Sequence, residues 1–243
     1  MTLPTFLDQE ERGQALIELF RDSHREAVPL RETFLQRRGD PPDPGPLSRL
    51  VSGGHHHALD LYLLIHAATA TPPHQIAINS RFWTQLVARP DQSERSARRA
   101  LERSLDTLEW LELIRPVTRL GVPVVELLDE YGWGDRYVHP ANQGARYFTI
   151  PHAYWLAGFD QSLSLRAKAM LLIARSLKPH GFTLPLAKSQ QWYGISPDTM
   201  RRGMKELVSA GLARYQANVV DAPKAPRSTA VRRVYILVGA VAR

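Results

Sequence analysis

The stretch "QQWYGISPDTMRRGMKELVSAGLARY", residues 190–215, decides how this chain is read. Gly194 suits a helix stop; Ser196 suits the N-cap of a new helix, with Pro197 at its first position. Gly211 suits the left-handed stop at the far end, after which the pattern turns strand-like. Over residues 197–210, Met200, Met204, Leu207 and Val208 recur at i, i+4, i+7 and i+8, the spacing of one buried helical face. Asp198, Arg201, Arg202 and Lys205 share another face at helical spacing. A helix docked by one side and cationic on the other suits the major groove of DNA, about 12 Å wide, where arginine reads guanine and lysine neutralises phosphate. On this reading Gly203, beside Arg202, leaves room for close approach to the duplex.

Working outward, the body of the chain repeats one plan. "ALDLYLLIHAATA" (58–70) reads as a buried helix and "HQIAIN" (74–79) as a short strand. "SRFWTQLVA" (80–88) follows as a helix with Ser80 as cap, then a long helix over 94–113 and two strands around "RLG" over 114–128. The order returns with "SLRAKAMLLIARSL" (164–177), "GFTLPL" (181–186), "AKSQQWYG" (187–194) and the helix over 196–211. Strands "LARYQANVV" and "VRRVYILV" then flank "DAPKAPRST". "SARRAL" (96–101) aligns with "TMRRGM" (199–204), and "LEWLELIR" (108–115) with "LVSAGLAR" (207–214). Between these anchors the first copy is longer by four residues, about one helical turn, so both ends keep their facing.

"WYGISPDTMRRGMKELVSAGL" resembles the winged helix-turn-helix family, with Ile195 as the apolar turn residue. Paired units in one chain are similar to those of plasmid replication initiators and of some bacterial transcription regulators. The resemblance covers residues 164–238 and, more loosely, 58–128. It implies a mainly α fold with small β-hairpin wings: two tandem winged-helix domains and an N-terminal helical arm. By resemblance Ser196, Asp198, Thr199, Arg201, Arg202 and Lys205 face DNA, and the wing offers Lys224, Arg227, Ser228, Arg232 and Arg233 to phosphates or the minor groove. In the first copy Arg98, Arg99, Arg115 and Arg119 are the candidates, but acids at 94, 102, 106 and 109 cancel the helix's charge. That copy serves either dimerisation or a second, weaker DNA contact. The expected function is sequence-specific binding of double-stranded DNA by a homodimeric, cytoplasmic transcription regulator without catalytic activity or cofactor. Replication initiation and a DNA-free protein scaffold remain the alternatives.

Charge placement agrees with a polyanion partner at one end. The net charge is +7, yet residues 1–50 carry 7 basic and 9 acidic groups while residues 196–243 carry 9 and 3. Arginine outnumbers lysine 26 to 5, a bias that reads as compositional. No cysteine is present, which excludes disulfides and cysteine-ligated zinc. No apolar run reaches the length of a membrane helix, and the acidic N-terminus is unlike a secretory signal. An amphipathic helix is expected over 5–26 and a short one over 30–36, forming an arm over 1–38. "GDPPDPGPLS" opens an expected linker over 39–54, followed by domains over 55–130 and 161–243 with a structured connector over 131–160.

Other constellations point to weaker stories. His55, His56 and Asp60 match the HHxxxD spacing of condensation-type acyltransferases, but Leu61 replaces the glycine that follows in that family. Adjacent histidines on a helix splay apart, which disfavours a built metal site. His66 lies on an apolar face and reads as a hydrogen-bonded core residue. Glu126, Asp129 and Glu130 read as a solvated edge, and Trp133 and Trp155 as packing residues rather than a stacking platform.

Overall fold

Two apolar helices carry the same Leu-Leu-Ile run, and the chain is arranged about them. The computed structural model describes residues 7–21, 25–69, 71–89, 91–177, 181–221 and 229–242. In order it contains α1 (Gln9–Arg21), β1 (Ala27–Arg31), β2 (Gln36–Arg37), β3 (Asp43–Pro44) and α2 (Leu47–Ser52). The first copy follows: α3 (His56–Ala68), β4 (Gln75–Ala77), α4 (Ser80–Val87), α5 (Glu94–Trp110), β5 (Ile114–Arg119) and β6 (Val122–Leu127). β7 (Tyr147–Pro151), α6 (Ala153–Leu156) and α7 (Phe159–Ser162) lead to the second: α8 (Leu165–Ser176), α9 (Ser189–Tyr193), α10 (Pro197–Ser209), β8 (Ala213–Asp221) and β9 (Thr229–Leu237). The fold is mixed helix and strand with small antiparallel sheets.

The repetition seen in the sequence extends to hydrogen bonding. The first sheet has the order β4-β6-β5, so the short strand pairs with the second arm of the hairpin. In the second copy Phe182 bridges Tyr235 of β9, and β9 pairs with β8, which is the same order. The expected strand over 181–186 is reduced to this single bridge. Ser93 and Ser196 cap α5 and α10 alike, accepting from Ser96 N at 3.3 Å and Thr199 N at 3.1 Å. α5 has 17 residues and α10 has 13, the expected difference of one turn. α4 is capped by Asn79 rather than Ser80: its side chain accepts from Arg81 N and Phe82 N.

Buried faces dock the third helices. Ala97, Ala100, Leu101 and Leu108 are buried on α5; Met200, Gly203, Met204 and Leu207 occupy the matching face of α10. Each large apolar side chain so buried contributes about 1.5–3 kcal/mol. A Cβ on Gly203 would run into the carbonyl oxygen of Arg166, so this glycine lets α10 cross α8 closely. It therefore serves the core, not an approach to a duplex; the helical period puts it between Met200 and Leu207.

Aligning the shared Leu-Leu-Ile runs, 63–65 with 171–173, makes Asp60 and Lys168 equivalent positions. They also bond to each other. Lys168 Nζ lies 2.5 and 2.6 Å from the two Asp60 carboxylate oxygens, both side chains are buried, and Nζ also donates to the Asp160 carbonyl.

The N-terminal third departs from the expected plan. Leu16 and Phe20 of α1 are buried, Arg12 pairs with Asp160, and its Nε donates to Leu86 O at 3.1 Å. The predicted helix over 30–36 is instead strand β1 followed by a single 3-10 turn. β1 pairs with β7, Val28 opposite Ile150 and Leu30 opposite Phe148, and this distant pairing overrides local propensity. The proline-rich segment is not a linker. Leu47 and Leu50 are buried, and Pro44 and Ser48 press on Gly194, where a Cβ would meet Ser48 Cβ at 2.7 Å. The connector contributes buried Tyr154 and Trp155. One hydrophobic cluster runs from Leu16 to Val241, so the expected arm and linker belong to the body. Among the described residues no helix is long and apolar enough to cross a membrane.

Candidate nucleic-acid interface

α10 presents its charge outward because its apolar residues fix its rotation. Asp198, Arg201, Arg202 and Lys205 are all exposed. Arg202 Nε meets Asp198 Oδ2 at 2.9 Å, an exposed i,i+4 pair worth about 0.3–0.5 kcal/mol, which a phosphate or base edge displaces cheaply. Arg201 and Lys205 have no ion-pair partner among the described residues. The helix's other acid, Glu206, is turned toward α8. It accepts from Ser164 N at 2.7 Å and from the Ser164 hydroxyl, and pairs with Arg166 at 3.5 Å. Partial burial works against its charge, but the Ser164 donors and Arg166 hold its carboxyl below the ordinary value. Ser196 and Thr199 engage each other, hydroxyl to hydroxyl at 2.9 Å, so they shape the helix start.

The hairpin β8–β9 pairs from Ala213↔Leu237 to Asp221↔Thr229. Arg232 and Arg233 are exposed neighbours on β9 and so point to opposite faces of the ribbon. Arg233 lies over the Tyr215 ring at 5.3 Å, and Arg232 sits opposite Asn218. Lys224, Arg227 and Ser228 lie outside the described residues.

The first copy spends its cations differently. Arg98 pairs with Glu102 at 3.4 Å on an exposed face, beside exposed Arg99. Arg115 donates to Gly134 O at 2.7 Å and meets Glu126 at 3.4 Å; Arg119 donates to Gln75 at 3.1 Å. Arg115 thus has an ion-pair partner and Arg119 a neutral one, and both remain exposed. The acidic cluster is likewise no solvated edge: Glu126 is 6% and Glu130 0% exposed. Glu130 pairs with Arg31, yet burial outweighs that guanidinium and lifts its carboxyl to about 7. Sequence spacing hid this pairing because its partners lie 99 residues apart.

The histidine constellations resolve into structure. Asp60 is held by Lys168, which removes the acid from any acyltransfer pattern. His57 accepts from Gln92 Nε2 at 2.8 Å, and burial draws its pKa down to about 4. His66 is buried against the Tyr62 hydroxyl at 3.1 Å, as expected of a core histidine, and burial lowers it to about 3. Among the described residues no group of three or more histidine, cysteine or carboxylate side chains is placed to hold a metal. Trp155 is buried, but Trp133 is 63% exposed and Trp110 66% exposed, so neither of these is a packing residue.

No family model, curated protein or solved structure matches this chain.

Proposed function

We propose that residues 161–243 form a winged helix-turn-helix unit that binds double-stranded DNA, and that the chain acts as a transcription regulator. In this reading residues 55–130 form a second such unit in tandem. α10 enters the major groove and the β8–β9 hairpin follows the backbone. The observation that carries the reading is the exposed trio Arg201, Arg202 and Lys205, set opposite the buried Met200, Met204 and Leu207. The shared helix–strand–helix–helix–hairpin order adds to it. A homodimer on a two-fold site is part of the proposal. The arm or the first copy provides that contact in this reading.

Gel shifts across salt test the reading. Specific affinity falls as salt rises, with a log–log slope of about −0.9 per phosphate contacted. Arg202→Ala costs ~1–3 kcal/mol and relaxes the preference at one base pair, whereas Arg233→Ala weakens all sequences alike. Wild-type affinity in an Arg201→Ala/Arg202→Ala double variant sinks the proposal.

A further inference from the structure

A second cleft, remote in kind from the cationic face of α10, combines exposed aromatic rings with two arginines and an unpaired carboxylate. Its volume is about 500 Å³, within the roughly 300–1,000 Å³ of small-ligand sites. Trp110 and Trp133 both line it and both are mostly exposed. Trp133 meets Tyr131 in a tilted contact, ring centroids 3.9 Å apart and planes at 43°, and the Tyr131 ring lies under the Arg37 guanidinium at 5.4 Å. Arg37 is anchored on the Tyr131 carbonyl at 2.8 Å. Arg49 lies over Trp110 at 5.2 Å. The floor is rigid: Gly132 adopts φ +75°, and a Cβ there would meet Leu111 O at 3.0 Å and Pro46 Cγ at 3.2 Å.

The internal repeat makes this corner informative. In the aligned anchors Trp110 replaces Ser209 and Glu112 replaces Gly211. Both copies need a left-handed residue there, φ +56° at Glu112 and +71° at Gly211. Glycine adopts that conformation without steric cost and glutamate does not. Glu112 lines the cleft and is exposed; its N–H donates to Glu109 O at 2.9 Å, and its carboxylate has no hydrogen-bond or ion-pair partner among the described residues. The first copy thus carries backbone strain at a residue whose carboxylate lines the cleft with two exposed indoles, each with one ring contact, Arg49 on Trp110 and Tyr131 on Trp133.

We infer that this cleft binds an unpaired nucleobase: the indoles stack on the ring, Glu112 accepts from an exocyclic amine, and Arg49 takes the phosphate. Every base offers a π-face, and carboxylates accept from base amines. Arg37 and Arg49 are offset by Asp43 and Glu112 in the lining, so stacking rather than net charge supplies the affinity. The inference does not depend on duplex binding by α10.

The test uses the full chain and labelled eight-residue oligo-dC, oligo-dA and oligo-dT, read by fluorescence anisotropy, with dCMP as competitor. Oligo-dC and oligo-dA bind more tightly than oligo-dT, which lacks the amine. Trp110→Ala and Trp133→Ala each weaken binding roughly 5- to 150-fold, with unchanged melting because both rings are exposed. Glu112→Gly erases the preference over oligo-dT while leaving the fold intact. Displacement by dCMP identifies a mononucleotide as sufficient; binding that resists dCMP identifies a strand as the ligand. No oligonucleotide binding, binding unchanged in both tryptophan variants, or capture of a proline-rich peptide instead overturns the inference. Arg201→Ala/Arg202→Ala leaves this binding intact while removing duplex binding, so the two readings fail separately.

Discussion

The two copies share what is buried and differ in what faces out. α5 and α10 start on the same serine cap, bury residues at matched positions and feed hairpins of the same sheet order. On the outer face α10 carries Arg201 and Lys205 unopposed, whereas α5 alternates arginine with acid and ends in an exposed tryptophan. Matched burial preserved one architecture, and the solvent side was free to diverge into two chemistries. The fold therefore rests on the buried residues of these helices, and the proposed functions rest on the exposed ones.

The sharpest way to break this comparison is to attack the joint between the copies. Lys168→Ala strands a buried carboxylate and costs ~3–5 kcal/mol in urea denaturation. Asp60→Leu/Lys168→Met recovers most of that loss, because an apolar pair of similar size replaces both charges. If Lys168→Ala is neutral, the two copies are not held together here. A smaller effect separates the copies by pH. His66 stands where the second copy has Ala174, in the same aligned helices. Its folded-state pKa, near 3, lies below the ordinary 6.5, so its stability contribution is whole above pH 6.5 and drains as pH falls toward 3. At pH 5 the loss is ~2 kcal/mol. His66→Gln keeps a partner for Tyr62 and does not titrate, so the stability gap to wild type shifts by that amount between pH 7 and 5. The smallest effect is a gain: Glu112→Gly relieves the left-handed strain and raises stability by ~1 kcal/mol, whereas Gly211→Glu lowers it.

Much of this organisation was legible in sequence because it is local. Helix periods, the Ser196 cap, the glycine stops and the one-turn difference between the third helices all rest on contacts within a few residues. The arm and linker were misread because their fate is decided at a distance. Val28 and Leu30 are strand residues only because residues 147–151 lie alongside, and the prolines at 41–46 read as breakers until Gly194 is seen resting on Pro44 and Ser48. In the interface, rotation of α10 followed from its methionines, but the burial of Gly203 depended on how closely α8 approaches. The partners of Arg115 and Arg119, namely Glu126, Gly134 and Gln75, could not be read from spacing because folding brings them near.

The Asp60–Lys168 joint also governs how two molecules can meet. Its opposite signs at equivalent sites allow one helix to marry only its counterpart. Were two protomers to exchange or double up these helices like with like, carboxylate would confront carboxylate and ammonium would confront ammonium in a dry setting, at several kcal/mol for each clash. The seam thus accepts only the pairing of unlike charges, α3 with α8 and neither with its own kind.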